Sequence, residues 1–90
     1  MKIFTWNKEK NKKLKLERGV GFEDVIVSIK EGRILDIMNH SNYKKYPGQK
    51  IFILKINEYA YLVPFTEDRE KIFLKTIFAS RKATKKYIIK

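Results

Sequence analysis

Cysteine is absent from the sequence, so neither a disulfide scaffold nor a thiolate nucleophile is available and stability must come from apolar packing. Histidine occurs once, at His40, which leaves too few nitrogen and sulfur donors for an ordinary zinc site. No close pair of carboxylates on an evident shared face is found beyond Glu67-Asp68, in a polar segment that reads as a turn, so no metal and no cofactor are expected. Gly19, Gly21, Gly32 and Gly48 are scattered as punctuation and make no phosphate-cradling loop. No apolar run approaches the roughly 18 residues that span a bilayer. The first thirteen residues lack the charged-then-apolar pattern of a secretory signal, so no membrane partner and a cytoplasmic location are expected.

Positive charge is abundant. With 21 Lys and Arg against 10 Asp and Glu, the 90-residue chain carries a formal net charge of +11. A field of that sign on so small a body attracts polyanions and raises encounter rates, which makes nucleic acid the first partner to consider. The length suits a single domain, residues 1–90, around one modest core.

Residues 2 to 6 form a β-branched and aromatic run that predicts a strand, and Asn7 suits the cap of a helix over Lys8 to Arg18, which Gly19 ends. The strong apolar positions of that helix are Leu14 and Leu16, so a narrow packing seam is expected beneath a lysine-covered outer face. Phe22, Val25, Ile26 and Ile29 then fall at i, i+3, i+4 and i+7 of a second helix, closed by Gly32. Strands are predicted over 33–38, 50–56, 59–65 and 71–79, with a polar loop at 39–48 and a hairpin turn at Asn57-Glu58. Pro64 has no amide hydrogen to donate and is expected at a strand end or edge. Ser80 can cap a closing helix from Arg81 to about Ile88. Helices followed by a meander of strands predict an α+β fold with helices on one sheet face. Because the central strands are apolar in both alternating sets, the second face needs partial cover, from the closing helix or from a partner chain.

Three segments carry a family likeness: Phe4-Thr5-Trp6-Asn7-Lys8-Glu9-Lys10-Asn11, then Glu17-Arg18-Gly19-Val20-Gly21-Phe22-Glu23-Asp24-Val25, then Ser80-Arg81-Lys82-Ala83-Thr84. In order and spacing across nearly the whole chain they resemble the BrnT-type toxins of bacterial type II toxin–antitoxin pairs. The resemblance implies a RelE/ParE-like fold: a small antiparallel sheet, two N-terminal helices and a short C-terminal helix. It also implies a translation-inhibiting ribonuclease, neutralised by a ribbon-helix-helix antitoxin that represses the shared operon, with operator DNA contacted only through the antitoxin complex. One departure matters. Members of that family often carry Lys-His-Gly at the end of the first helix, where this chain has Glu17-Arg18-Gly19. A histidine role at that point is therefore lost, and Arg18 can support a phosphate but hardly act as a base.

Metal-free RNA cleavage needs a base for the ribose 2′-hydroxyl, cations for the pentavalent phosphate and a proton donor for the leaving oxygen. The catalytic candidates are Arg81 and Lys82, at the start of the last helix and within the closing motif, and His40, whose unperturbed pKa lies near neutrality. The RNA-binding candidates are Lys12, Lys15 and Arg18 on the first helix, Lys44 in the polar loop beside Asn42, Tyr43 and Tyr46, and Tyr61, whose ring can stack on a base. Simpler readings stand beside each: a lysine-rich helix face is commonly only solvated, a lone loop histidine is commonly surface, and alternation at period two places Tyr61 with the core. A ribonuclease toxin, a non-catalytic nucleic-acid- or protein-binding module of the same fold, and a toxin-like domain with a protein target are all compatible with the sequence.

Overall fold

A computed structural model of the chain describes residues 2–39, 44–45 and 48–89. Its elements are β1 (Ile3–Trp6), α1 (Lys8–Arg18), α2 (Phe22–Lys30), β2 (Ile34–Asn39), β3 (Gln49–Ile56), β4 (Tyr59–Glu67), β5 (Lys71–Leu74), β6 (Phe78–Ala79) and α3 (Arg81–Tyr87). The class is α+β, with one six-stranded sheet in the order β1-β5-β4-β3-β2 and β6 paired to β4.

The sheet is mixed rather than wholly antiparallel. β2 to β5 alternate in direction, whereas β1 lies parallel to β5, with Ile3 opposite Lys71 and Trp6 opposite Leu74. Two helices separate β1 from the meander, so no tight turn ties its direction to that of a neighbour. The predicted strand over 71–79 is also interrupted. Phe65 pairs with Leu74 and Tyr61 with Ala79, so one strand supplies an extra residue across this interval and the ladder opens between β5 and β6. Pro64 lies in this interval, inside an interior strand and not at an edge. Its carbonyl accepts from Lys75 N at 2.9 Å, so the side of β4 on which Pro64 cannot donate is the side where β5 has just left the ladder.

Local chemistry accounts for the helix ends. The Asn7 side chain accepts from Lys10 N at 2.9 Å, and Gly19 closes α1 in the left-handed region at φ 71°. The seam of α1 differs from the expected one, because residues two apart on a helix point away from each other. Leu14 is buried, Leu16 is 87% exposed, and Asn11 takes the second inward position. Asn11 earns that position by hydrogen bonding: its Oδ1 accepts from Phe22 N at 2.8 Å and its Nδ2 donates to both Glu23 carboxylate oxygens at 3.0 Å. At the start of α2, Gly21 N donates to Asp24 Oδ2 at 2.8 Å. A Cβ on Gly21 would stand 2.8 Å from Asn11 Oδ1, an atom the Phe22 amide holds in place. Gly21→Ala is therefore expected to destabilise the protein by about 1–3 kcal/mol, seen as a lower urea midpoint with an unchanged slope.

The main core lies between α1, α2 and one sheet face. Leu14, Phe22 and Val25 pack against Phe52, Leu54, Val63, Phe65, Leu74 and Ile77, and Trp6 stacks on Phe22 at 5.7 Å between ring centroids. The second face has its own smaller cluster, in which Ala83, Tyr87 and Ile88 cover Ile53, Ala60, Leu62 and Leu35. The closing helix thus supplies the partial cover that the doubly apolar strands require. Small residues on both sides, Ala60 and Ala83, let α3 approach closely. Thr84 fixes it there, its hydroxyl accepting from Ala60 N at 2.9 Å and donating to Ser80 O at 2.7 Å.

Candidate functional site

α3 covers only part of the second sheet face, and beside it lies a cavity of about 330 Å³. Ile51, Ile53 and Leu62 form an apolar floor; Met38 and Asn39 from β2 stand on one side, and Lys82, Lys86 and Tyr87 on the other. These strand residues share the face because pairs in register point the same way: Met38 is opposite Ile51, and Ile53 opposite Leu62. On α3, Lys82 and Lys86 are four apart and therefore stack on one side of the helix. Ser80 caps the helix by accepting from Ala83 N at 3.1 Å.

A tyrosine–carboxylate pair stands at the end of this cavity. Tyr87 donates its hydroxyl hydrogen to Asp36 Oδ2 at 2.7 Å, and Asp36 Oδ1 accepts from Ile37 N at 2.8 Å. These two donors, Tyr87 first, hold the Asp36 carboxyl below the usual carboxylate range, and the nearby carboxylate pushes the Tyr87 phenol above its ordinary value. At neutral pH the pair is therefore a protonated phenol locked onto a carboxylate, with Lys86 Nζ 5.2 Å from the Tyr87 ring centroid. Because the folded-state pKa of Asp36 is depressed, its contribution to stability is present above the unfolded value and fades as the pH falls through the folded one. Tyr87→Phe is expected to raise the Asp36 pKa toward the ordinary range, read by carboxyl carbon NMR titration; an unmoved titration would mean that the hydroxyl does not hold the carboxylate in solution.

The residues singled out in the sequence separate into two groups on opposite faces of the sheet. Lys82 lines the cavity; Arg81 is exposed at the start of the same helix but does not line it. His40, with Asn42, Tyr43 and Tyr46, lies outside the described residues. Lys12, Lys15 and Arg18 belong to α1, across the sheet from the cavity, and two of the three are engaged: Lys15 pairs with Glu23 at 3.1 Å, and an Arg18 guanidinium nitrogen donates to the Ile77 carbonyl. Lys44 is exposed in a turn. Tyr61 is half-buried against the main core, edge-on to Tyr59 at 6.0 Å. The Lys82–Lys86 spacing was available in the sequence as an i, i+4 pair. The Asp36–Tyr87 pairing was not, since the two residues are far apart in the chain and meet only when α3 folds onto β2.

The carboxylates of the 67–68 segment are engaged locally. Glu67 pairs with Lys2 at 2.8 Å and Lys50 at 3.2 Å, which hold its carboxyl below the ordinary range, and Asp68 accepts from the amides of Glu70 and Lys71. Among the described residues no three His, Asp or Glu side chains converge as a metal site would require, and no helix is long and apolar enough to cross a membrane. Comparison with protein-family models, with curated proteins and with solved structures finds no match.

Proposed function

We propose that this protein is a metal-independent ribonuclease of the BrnT type, with a RelE/ParE-like fold, which binds single-stranded RNA on the open sheet face beside α3. The observation that carries the reading is the pairing of Lys82 and Lys86 above an apolar floor of Ile51, Ile53 and Leu62. Two cations beside an apolar floor suit a nucleotide, whose phosphate is anionic and whose base is flat and largely apolar at its faces. In this reading the 2′-hydroxyl attacks the adjacent phosphorus and the 5′-oxygen leaves, giving a cyclic phosphate. Lys82 and Lys86, with Arg81 from the flank of the helix, hold the charge that builds on the phosphate. Tyr87, kept protonated by Asp36, is a positioning residue, and His40 is the candidate base or acid on its intrinsic pKa. The inhibitory partner is a ribbon-helix-helix antitoxin, acidic where it docks, which alone contacts operator DNA; the site of action is the cytoplasm.

A non-catalytic RNA-binding module is favoured by one specific observation. Arg18, at the place where the resembled family often has a histidine, spends its guanidinium on the Ile77 carbonyl. The deciding experiment is incubation of a defined single-stranded RNA, in chelator and at low salt, with the purified protein and its Arg81→Ala and His40→Ala variants. Cleavage by the unaltered protein that either variant diminishes supports the ribonuclease. Tight, salt-sensitive binding that leaves the RNA intact selects the module.

A further inference from the structure

On β5, Ile72 and Leu74 turn toward the α1/α2 core, so Phe73 projects to the other face, beyond the reach of α3, and is 40% exposed. Its cross-strand neighbours on that face are Thr5 on β1 and Thr66 on β4. Sheet packing at this position is met by threonine on both sides and does not call for a large aromatic ring. The three residues line a concavity of about 520 Å³ with Glu67, Asp68 and Lys71 at its rim. An exposed ring alone is ordinary. This one stands on the same sheet face as the lysine cavity, flanked in register by two hydroxyls that can meet the edge of a planar ligand: Thr66 as donor or acceptor, and Thr5, whose hydrogen goes to the Ile72 carbonyl at 3.4 Å, as an acceptor.

From these placements we infer that Phe73 is a second nucleobase subsite: a base of the bound RNA stacks on the Phe73 ring, and the Thr5 and Thr66 hydroxyls meet its edge. The inference deepens the ribonuclease reading and rests on it. Leu62, in the floor of the lysine cavity, and Thr66 are four residues apart on β4 and face the same way, a separation of about 13 Å along the strand. That is up to about four nucleotides at the ~3.4 Å rise of a helically stacked strand, and fewer in an extended one. One short single strand therefore reaches both places. Local acidity does not forbid it, because Glu67 is bracketed by Lys2 and Lys50, and Asp68 is occupied by two backbone amides. Stacking of this kind is tolerant of base identity, so the substrate is single-stranded RNA several nucleotides long, with selectivity coming from the two hydroxyls.

The test is the affinity of a short 2′-O-methyl oligouridylate, which cannot be cleaved through its 2′-oxygen, read by fluorescence anisotropy at low salt. Phe73→Leu keeps an apolar side chain on an exposed strand position, and Phe73→Tyr keeps the ring. Phe73→Leu is expected to weaken binding about 5- to 100-fold, the range for loss of one stacked base, while Phe73→Tyr retains it. A single nucleotide, uridine 3′-monophosphate, which fills only the lysine cavity, is expected to compete alike for all three proteins. Thr66→Val, nearly isosteric, is expected to alter the preference among homopolymers and not the affinity for all of them. Should Phe73→Leu bind the longer oligomer as the unaltered protein does, while Lys82→Ala does not, the subsite is wrong and the RNA reading stands; Phe73 then belongs to a protein contact. Should the unaltered protein bind no oligonucleotide, both fall.

Discussion

Joint replacement of Lys82 and Lys86 by alanine is expected to reduce RNA cleavage at low salt about a hundredfold, the order of effect of losing a donor that meets developing charge. Both side chains are exposed, so the fold should survive within about 0.5 kcal/mol, and a thermal melt is the control that separates the two effects. Binding offers a second readout. Each lysine that neutralises a phosphate of a single strand contributes about 0.7 to the slope of log affinity against log salt, so the double variant should lower that slope by about 1.4. Arg81→Ala and Lys85→Ala, on the other flanks of α3, should each change the slope less. If the double variant cleaves and binds as the unaltered protein does, the cavity beside α3 is not the RNA site.

A second large effect is expected in stability rather than activity. Asn11→Ala removes the side chain that accepts from the buried Phe22 amide, together with two hydrogen bonds to the Glu23 carboxylate. An unsatisfied buried amide and a lost charge-assisted contact together cost about 2–3 kcal/mol, or roughly 10–20 °C in midpoint for a domain of this size. Asn11→Asp separates the two halves of the interaction. It keeps an acceptor for Phe22 N but sets a carboxylate against Glu23, whose pKa is depressed chiefly by the Asn11 side chain. The Glu23 titration should then move upward, and the destabilisation should ease as the pH falls into the carboxylate range, where protonation relieves the repulsion. A midpoint unchanged in Asn11→Ala would mean that α1 and α2 are joined by Leu14 packing alone.

The residues explain which parts of this molecule a sequence discloses. Helix limits were legible because Asn7, Gly19 and Ser80 act on the backbone within a few residues of themselves. The β3–β4 hairpin was legible for the same reason, Asn57 and Glu58 taking the positive φ values of 52° and 63° that a two-residue turn needs. What failed depended on distant neighbours. Leu16 looks like seam material until Asn11 is seen to face inward, and Pro64 looks like an edge residue until the opening between β5 and β6 appears beside it. The candidate site divides along the same line. Lys82 was marked by its local motif, whereas Arg18 lost its presumed freedom to the carbonyl of Ile77, on the far side of the chain, and Phe73 drew no notice because exposure is a property of what does not cover it.

The parallel seam between β1 and β5 has a consequence for how the molecule comes into being. Ile3 must find Lys71, and β2, β3 and β4 are made in between, so β1, made before them, is among the last of these strands to be paired. Closing so long a loop is slow, while the β3–β4 hairpin, with its two-residue turn, closes early and offers the template. Until β5 arrives, Phe4 and Trp6 have no strand to rest beside. α3 follows later still and builds the wall of the lysine cavity. A nascent chain is thus without the cavity beside α3 until nearly all of these residues have been made, and under the proposed ribonuclease function that delay would come from topology alone.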